Sequence, residues 1–122
     1  MKVYYAHCIA IYNTPQEERD VHTLLGLGLD VVNPNTPAVD VEVKRLKSLG
    51  ENYMSFFKDI VHSCEVFAFR ALPDGSIPAG VAKELAWAVE ADKLIIELPA
   101  AILRRVITLE ATREYLHEVG QR

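Results

Sequence analysis

Residues 3–17, Val3-Tyr4-Tyr5-Ala6-His7-Cys8-Ile9-Ala10-Ile11-Tyr12-Asn13-Thr14-Pro15-Gln16-Glu17, decide the fold. Val3–Ala10 is an apolar run rich in Val, Tyr and Ile, the composition of a buried strand. Asn13-Thr14-Pro15-Gln16-Glu17 then starts a helix, with Thr14 as N-cap, Pro15 at the first helical position and Glu17 three residues after the cap. Val21, Leu24 and Leu25 follow at helical spacing, and Gly26 or Gly28 supplies the stop. A buried strand running straight into a capped helix is the opening of a βαβ unit.

The same rhythm continues outward. Asp30-Val31-Val32-Asn33 reads as a second short strand stopped by Pro34, and Asn33–Ala38 as a loop. A helical region from about Val39 to His62, broken near Gly50, places Tyr53, Phe56, Phe57, Ile60 and Val61 on one face. Glu65–Leu72 reads as a third strand, and Pro73–Gly80 is dense in turn residues. Val81–Ala91 is a helix with Val81, Leu85, Ala88 and Val89 inward. Lys93–Leu98 is a fourth strand ended by Pro99. Ala101–Ile107 fits helix or strand, and Thr108–Val119 is a last helix with Leu109, Thr112, Leu116 and Val119 on one stripe. The expectation is an α/β fold, a single Rossmann-like or flavodoxin-like three-layer sandwich over residues 1–122, with a parallel sheet of four to five strands.

Composition narrows the function classes. The 122 residues carry 13 basic and 17 acidic side chains, a net charge of −4, and a pI near 5.5. A nucleic-acid-binding surface would normally show a basic excess. The longest mostly apolar stretches, Val66–Leu72 and Leu94–Leu98, fall far below the ~20 residues of a membrane span. Met1-Lys2-Val3-Tyr4-Tyr5 has no signal-peptide layout, and two cysteines, Cys8 and Cys64, suit a reducing compartment, so a cytoplasmic location is expected. The four histidines and two cysteines show no metal-ligand spacing, and neither a metal nor another cofactor is expected.

In an open parallel sheet, ligands bind beyond the carboxyl ends of the strands. Three segments land there: His7 to Thr14, Asn33-Pro34-Asn35-Thr36, and Arg70 through Gly80 with the helix that holds Glu84. Glu84 is the leading candidate, read in the first turn of that helix. An acidic side chain there also complements the helix dipole, by ~0.3–1 kcal/mol, without any further role. His7 suits a ligand contact or the edge of the core. Arg70 suits a phosphate or carboxylate ligand, or an ion pair with Asp74. Trp87 suits the core or a dimer contact.

The segment Gly80-Val81-Ala82-Lys83-Glu84-Leu85-Ala86-Trp87-Ala88, followed by Lys93-Leu94-Ile95-Ile96, resembles the signature of the nucleoside 2-deoxyribosyltransferase family, which includes 2′-deoxynucleoside 5′-phosphate N-hydrolases. Lys2–His7 resembles the family's first strand, which carries a tyrosine, and Asp30–Pro34 its second. The resemblance implies N-glycosidic bond cleavage or transfer on a nucleoside or nucleotide, with Glu84 as the carboxylate that attacks the anomeric carbon. It implies Tyr5 as the residue positioning Glu84, and Asp74 or Glu65 as acid or sugar ligand. His7, Asn33, Glu65, Arg70 and Gly80 are then the expected substrate-binding residues. The chain departs from the pattern in four places, the smallest being Ala86, which replaces the glycine after Glu-Leu and only tightens packing. Pro78 stands six residues before Glu84, where an aspartate would hold sugar hydroxyls. Glu65 stands where the family has aspartate. Ala10–Thr14 replaces the Gly-Ser-x-x-Gly-Gly phosphate loop of the nucleotide hydrolases. Pro78 and the missing phosphate loop favour an alternative, a non-catalytic nucleotide or ADP-ribose-type sensor of the same fold. By resemblance, a homodimer or higher homo-oligomer is expected; the apolar stripe of Leu109, Leu116 and Val119 fits such a contact as well as an intramolecular one.

Overall fold

The computed structural model describes residues 1–99 and 106–121. Four parallel strands form one sheet: β1 (Lys2–Ala6), β2 (Asp30–Val32), β3 (Val66–Arg70) and β4 (Leu94–Leu98), in the order β2-β1-β3-β4. The helices are α1 (Pro15–Gly26), α2 (Pro37–Ser48), α3 (Tyr53–Ser63), α4 (Ala79–Glu90) and α5 (Leu109–Glu118). Helices on both faces of a parallel sheet make this the three-layer α/β sandwich expected from the sequence.

Two helices start by one device. Thr14 accepts the Glu17 N–H at 3.4 Å with Pro15 next to it, and Thr36 accepts the Val39 N–H at 3.3 Å with Pro37 next to it. Each threonine satisfies an orphan donor, and each proline occupies a position where its missing N–H costs nothing. Asn52 does the same for α3 through the Met54 N–H, and Gly50, at φ 69°, turns the chain between α2 and α3.

β1 is shorter than its apolar run. After Ala6 the backbone bonds to itself in a 3-10 turn over Ile9–Ile11, with the Ile11 N–H on Cys8 O at 2.9 Å and the Tyr12 N–H on Ile9 O at 3.0 Å. The segment 101–107, open between helix and strand, lies outside the described residues as far as 105, and 106 and 107 belong to neither class. In α5, Thr112 and Leu116 are half-buried while Leu109 and Val119 stay exposed. Val89, expected inward on α4, is also exposed.

Strand alternation splits the core in two. Val3 and Tyr5 join Val66, Ala68 and Leu98 against Leu24 of α1. Tyr4 and Ala6 join Phe67 and Phe69 against Val61 of α3 and Val81 and Ala88 of α4. The register Val3↔Val66 through Ala6↔Phe69 keeps each set on its own face. Fully burying a side chain such as Leu24 stabilises the fold by about 1.5–3 kcal/mol. The consequence for function is that the neighbours Tyr4 and Tyr5 send their hydroxyls to opposite sides of the sheet.

Candidate functional site

At the carboxyl end of the strands, on the α3 and α4 side, a cavity of about 330 Å³ opens between β1 and the two helices. Tyr4, Tyr12, Tyr53, Phe57 and Glu84 line it, and Gly80 and Pro78 close the edge beneath the start of α4. Glu84 enters from the second turn of α4, because the helix begins at Ala79, two residues earlier than its periodicity suggests. No acidic residue occupies the first turn, so relief of the helix dipole does not explain this carboxylate.

Glu84 is half-buried and accepts a hydrogen bond from the Tyr4 hydroxyl. Burial pushes its carboxyl up to about 7, and the Tyr4 bond works in the other direction. Tyr4 is itself raised far above the ordinary tyrosine value, first by burial and then by the adjacent Glu84. It therefore stays an O–H donor at any working pH. A carboxyl poised near neutrality on a cavity wall, held by one fixed donor, can act as nucleophile or as proton carrier.

The expectation that Tyr5 positions Glu84 is corrected: Tyr4 does. Tyr5 lies one residue on, so its side chain crosses to the α1 face and its hydroxyl donates to Asp20 Oδ2 at 2.5 Å. Asp20 also receives Arg70 Nε at 2.5 Å and Nη2 at 2.6 Å. Burial works to raise Asp20, but the bonds from Arg70 and Tyr5 outweigh it and hold the carboxyl below its usual range. Arg70 is thus committed to Asp20 and not to Asp74 or to the Glu84 cavity.

Glu65 sits at the other end of the sheet. A residue just before a parallel strand belongs to the amino edge, and its carboxylate accepts the Lys2 backbone N–H at 2.8 Å. Asp74 closes its own exposed turn, accepting the Ser76 N–H at 2.9 Å and the Ser76 hydroxyl at 2.6 Å, away from the cavity lining. Asn33 folds back to accept the Asn35 N–H at 2.9 Å, and its neighbour Pro34 is the residue that reaches the cavity. Gly80 stands on the cavity edge, with open space where a Cβ would be.

His7 is one of the residues lining the cavity, but its side chain has no solvent exposure and is engaged on all sides. The ring stacks on Tyr5 at 3.8 Å, Nδ1 faces the Tyr5 carbonyl at 3.1 Å, and Nε2 meets Glu17 Oε2 at 2.7 Å. Glu17 also accepts the Asn13 N–H at 3.2 Å and Asn35 Nδ2 at 3.0 Å. Burial works to raise Glu17, but the bonds from His7, Asn35 and Asn13 outweigh it and keep the carboxyl low. These links tie the β1 end, the start of α1 and the loop after β2 into one frame beside the cavity. Tyr4, Tyr12, Glu17 and Asp20 are the residues sequence reasoning missed as parts of this region. Among the described residues, no group of three or more His, Cys, Asp or Glu is placed to hold a metal ion, and no helix is long and apolar enough to cross a membrane.

Fold and site together define a parallel α/β sandwich with a poised carboxyl in the cleft at its strand ends. No family model and no curated protein matches the chain. Among solved structures it is similar to Clostridium botulinum CMP N-glycosidase, BcmB, at 20% identity over 100% of both chains, with a TM-score of 0.48.

Proposed function

We propose that this chain cleaves the N-glycosidic bond of a nucleoside or nucleotide, with Glu84 as nucleophile. The observation that carries the reading is the Tyr4–Glu84 pair on the wall of the strand-end cavity. The resemblance of Gly80–Ala88 to the deoxyribosyltransferase signature supports it. In this reading the Glu84 carboxylate attacks the anomeric carbon as the C–N bond breaks, and the electron pair leaves with the base. Water, or a second base, then releases the sugar from Glu84. Tyr4 keeps the carboxylate oriented, and the aromatic walls of Tyr53 and Phe57 exclude solvent from the reacting bond. Only ionised Glu84 attacks, so turnover rises as pH climbs through about 7. The remaining parts of the proposal are a small-molecule partner, a cofactor-free reaction, a cytoplasmic location and a homo-oligomer.

The test is free-base release from deoxyribonucleosides and their 5′-monophosphates, with wild type beside Glu84→Ala. The expected result is release that falls by more than roughly a thousandfold in the variant. A second reading, a nucleotide or ADP-ribose-type sensor, is favoured by Pro78 at the α4 N-cap and by the engagement of Arg70 and Asp74 elsewhere. Its signature is a melting shift with one of these compounds and no base release from any.

A further inference from the structure

A second hollow, of about 630 Å³, adjoins the Glu84 cavity and is bordered by Asn35, Thr36, Asp40 and Lys47. Four residues line both spaces: Ile9, Tyr12, Pro34 and Phe57. They form the partition between them. Three of the four have apolar side chains, so any side-chain polar contact the partition makes falls to Tyr12.

Tyr12 is fixed in place by its surroundings. Its backbone N–H closes the 3-10 turn on Ile9 O, and its ring lies at 4.7 Å and 47° against His7, which Glu17 and the Tyr5 carbonyl hold. The next residue, Asn13, takes a left-handed conformation at φ 60° and is bonded through its backbone N–H to Glu17 and through Oδ1 to Asn35. The phenol is thus held rigidly from the ring and from the chain, while its hydroxyl makes no hydrogen bond among the described residues. Burial first, and then Glu84, raise the hydroxyl to about 12, so it remains a proton-bearing donor.

We infer that Tyr12 is the residue that recognises the departing base, donating its hydroxyl hydrogen to an acceptor atom of the heterocycle where the scissile bond crosses from one hollow to the other. The inference rests on the glycosidic reading above. With the anomeric carbon against Glu84 and the heterocycle reaching past the partition, the new C–O bond forms as the C–N bond breaks. The electron pair moves onto the base, and the charge that spreads to its acceptor atom meets the Tyr12 O–H. The base then takes its proton from solvent, so the tyrosine ends the step as it began. A fixed donor aimed at developing charge helps the transition state more than the ground state.

The experiment compares wild type, Tyr12→Phe and Glu84→Ala on two substrates: an ordinary deoxyribonucleoside, and one whose electron-poor base leaves as a stable anion. Phenylalanine keeps the ring against His7, and a melting curve checks that the fold is intact. Tyr12→Phe is expected to lower kcat/KM for the ordinary substrate by roughly 10- to 100-fold, and for the activated one by no more than roughly a few-fold. An equal deficit on both substrates, or no deficit on either, overturns the role of Tyr12 while leaving Glu84 in place. Base release that survives Glu84→Ala, or an inert wild type, overturns the glycosidic reading and this inference with it.

Discussion

Tyr4 and Tyr5 are adjacent in β1, fully buried, and each donates to a carboxylate, yet they stand in opposite kinds of surroundings. On the α1 face, Tyr5 joins Asp20, Arg70 and Gln16, and His7 joins Glu17, Asn13 and Asn35, so that every carboxylate oxygen has donors and both carboxyls are held low. On the α3 and α4 face, Tyr4 is the one donor Glu84 has among the described residues, and burial, only partly offset by that bond, lifts the carboxyl to about 7. A closed set of charges holds structure together, whereas a carboxyl given one partner and a cavity is left able to react. The same strand therefore carries an internal brace on one side and the candidate chemistry on the other.

The largest effect tests the brace. Removing one partner of a buried ion pair leaves the other charge uncompensated, which costs about 3–5 kcal/mol. Asp20→Ala strands the Arg70 guanidinium, most of which is shielded from solvent, and is expected to lower the unfolding free energy by about that amount in urea at pH 7. Asp20 sits below its usual 3.8 in the folded chain, so the stability it contributes is complete above that value and is lost as pH falls through the folded value. The gap between wild type and variant should accordingly narrow in acid. A variant as stable as wild type at pH 7 would remove the distinction between the faces.

Much of this architecture is legible in the sequence, and the limits are physical. The Thr14-Pro15 start, the glycine turns and the apolar runs are local signals, and they mark the strands and the helix starts to within about two residues of the structure, except that β1 stops four residues before its apolar run and Thr36-Pro37, read as loop, starts α2. Glu84 is reachable because it follows a glycine-bearing turn after a strand. Tyr4 and Tyr5 are not separable, because alternation identifies a face only when one side is polar, and here both sides are core. The frame of His7 with Glu17 and of Arg70 with Asp20 joins residues 10 and 50 positions apart with no spacing rule behind them. Glu65 could have been placed correctly: in a parallel sheet, the residue before a strand always faces away from the ligand edge.

The next effect tests the open side. Glu84 binds its proton more tightly in the folded chain, at about 7, than at its ordinary 4.5. The burial cost is therefore absent below pH 4.5, grows between the two values, and is complete above pH 7. Glutamine keeps the shape and an acceptor for Tyr4 without the charge. Glu84→Gln is expected to equal wild type in acid and to exceed it by about 1–3 kcal/mol at pH 8, read from urea unfolding at each pH. A variant less stable than wild type at pH 8 would mean that the Glu84 carboxylate is as well compensated as Asp20.

The smallest effect separates the two tyrosines directly. The Tyr4 bond lowers Glu84 against the larger influence of burial, so Tyr4→Phe should push the Glu84 carboxyl further above 7. Tyr5→Phe removes a donor from Asp20, which keeps Arg70, and should leave the Glu84 titration where it was. Its signature is instead a loss of about 1–2 kcal/mol in stability, the cost of one buried hydrogen bond to a charged group with its partner still present. Following the Glu84 carboxyl carbon by NMR across pH 5–9 in both variants reads the two outcomes at once. If the two variants moved that titration equally, the sheet would be transmitting charge between its faces, and the separation of brace from cavity along β1 would fail. If only Tyr4→Phe moves it, one residue of strand register is what divides structure from reactivity in this chain.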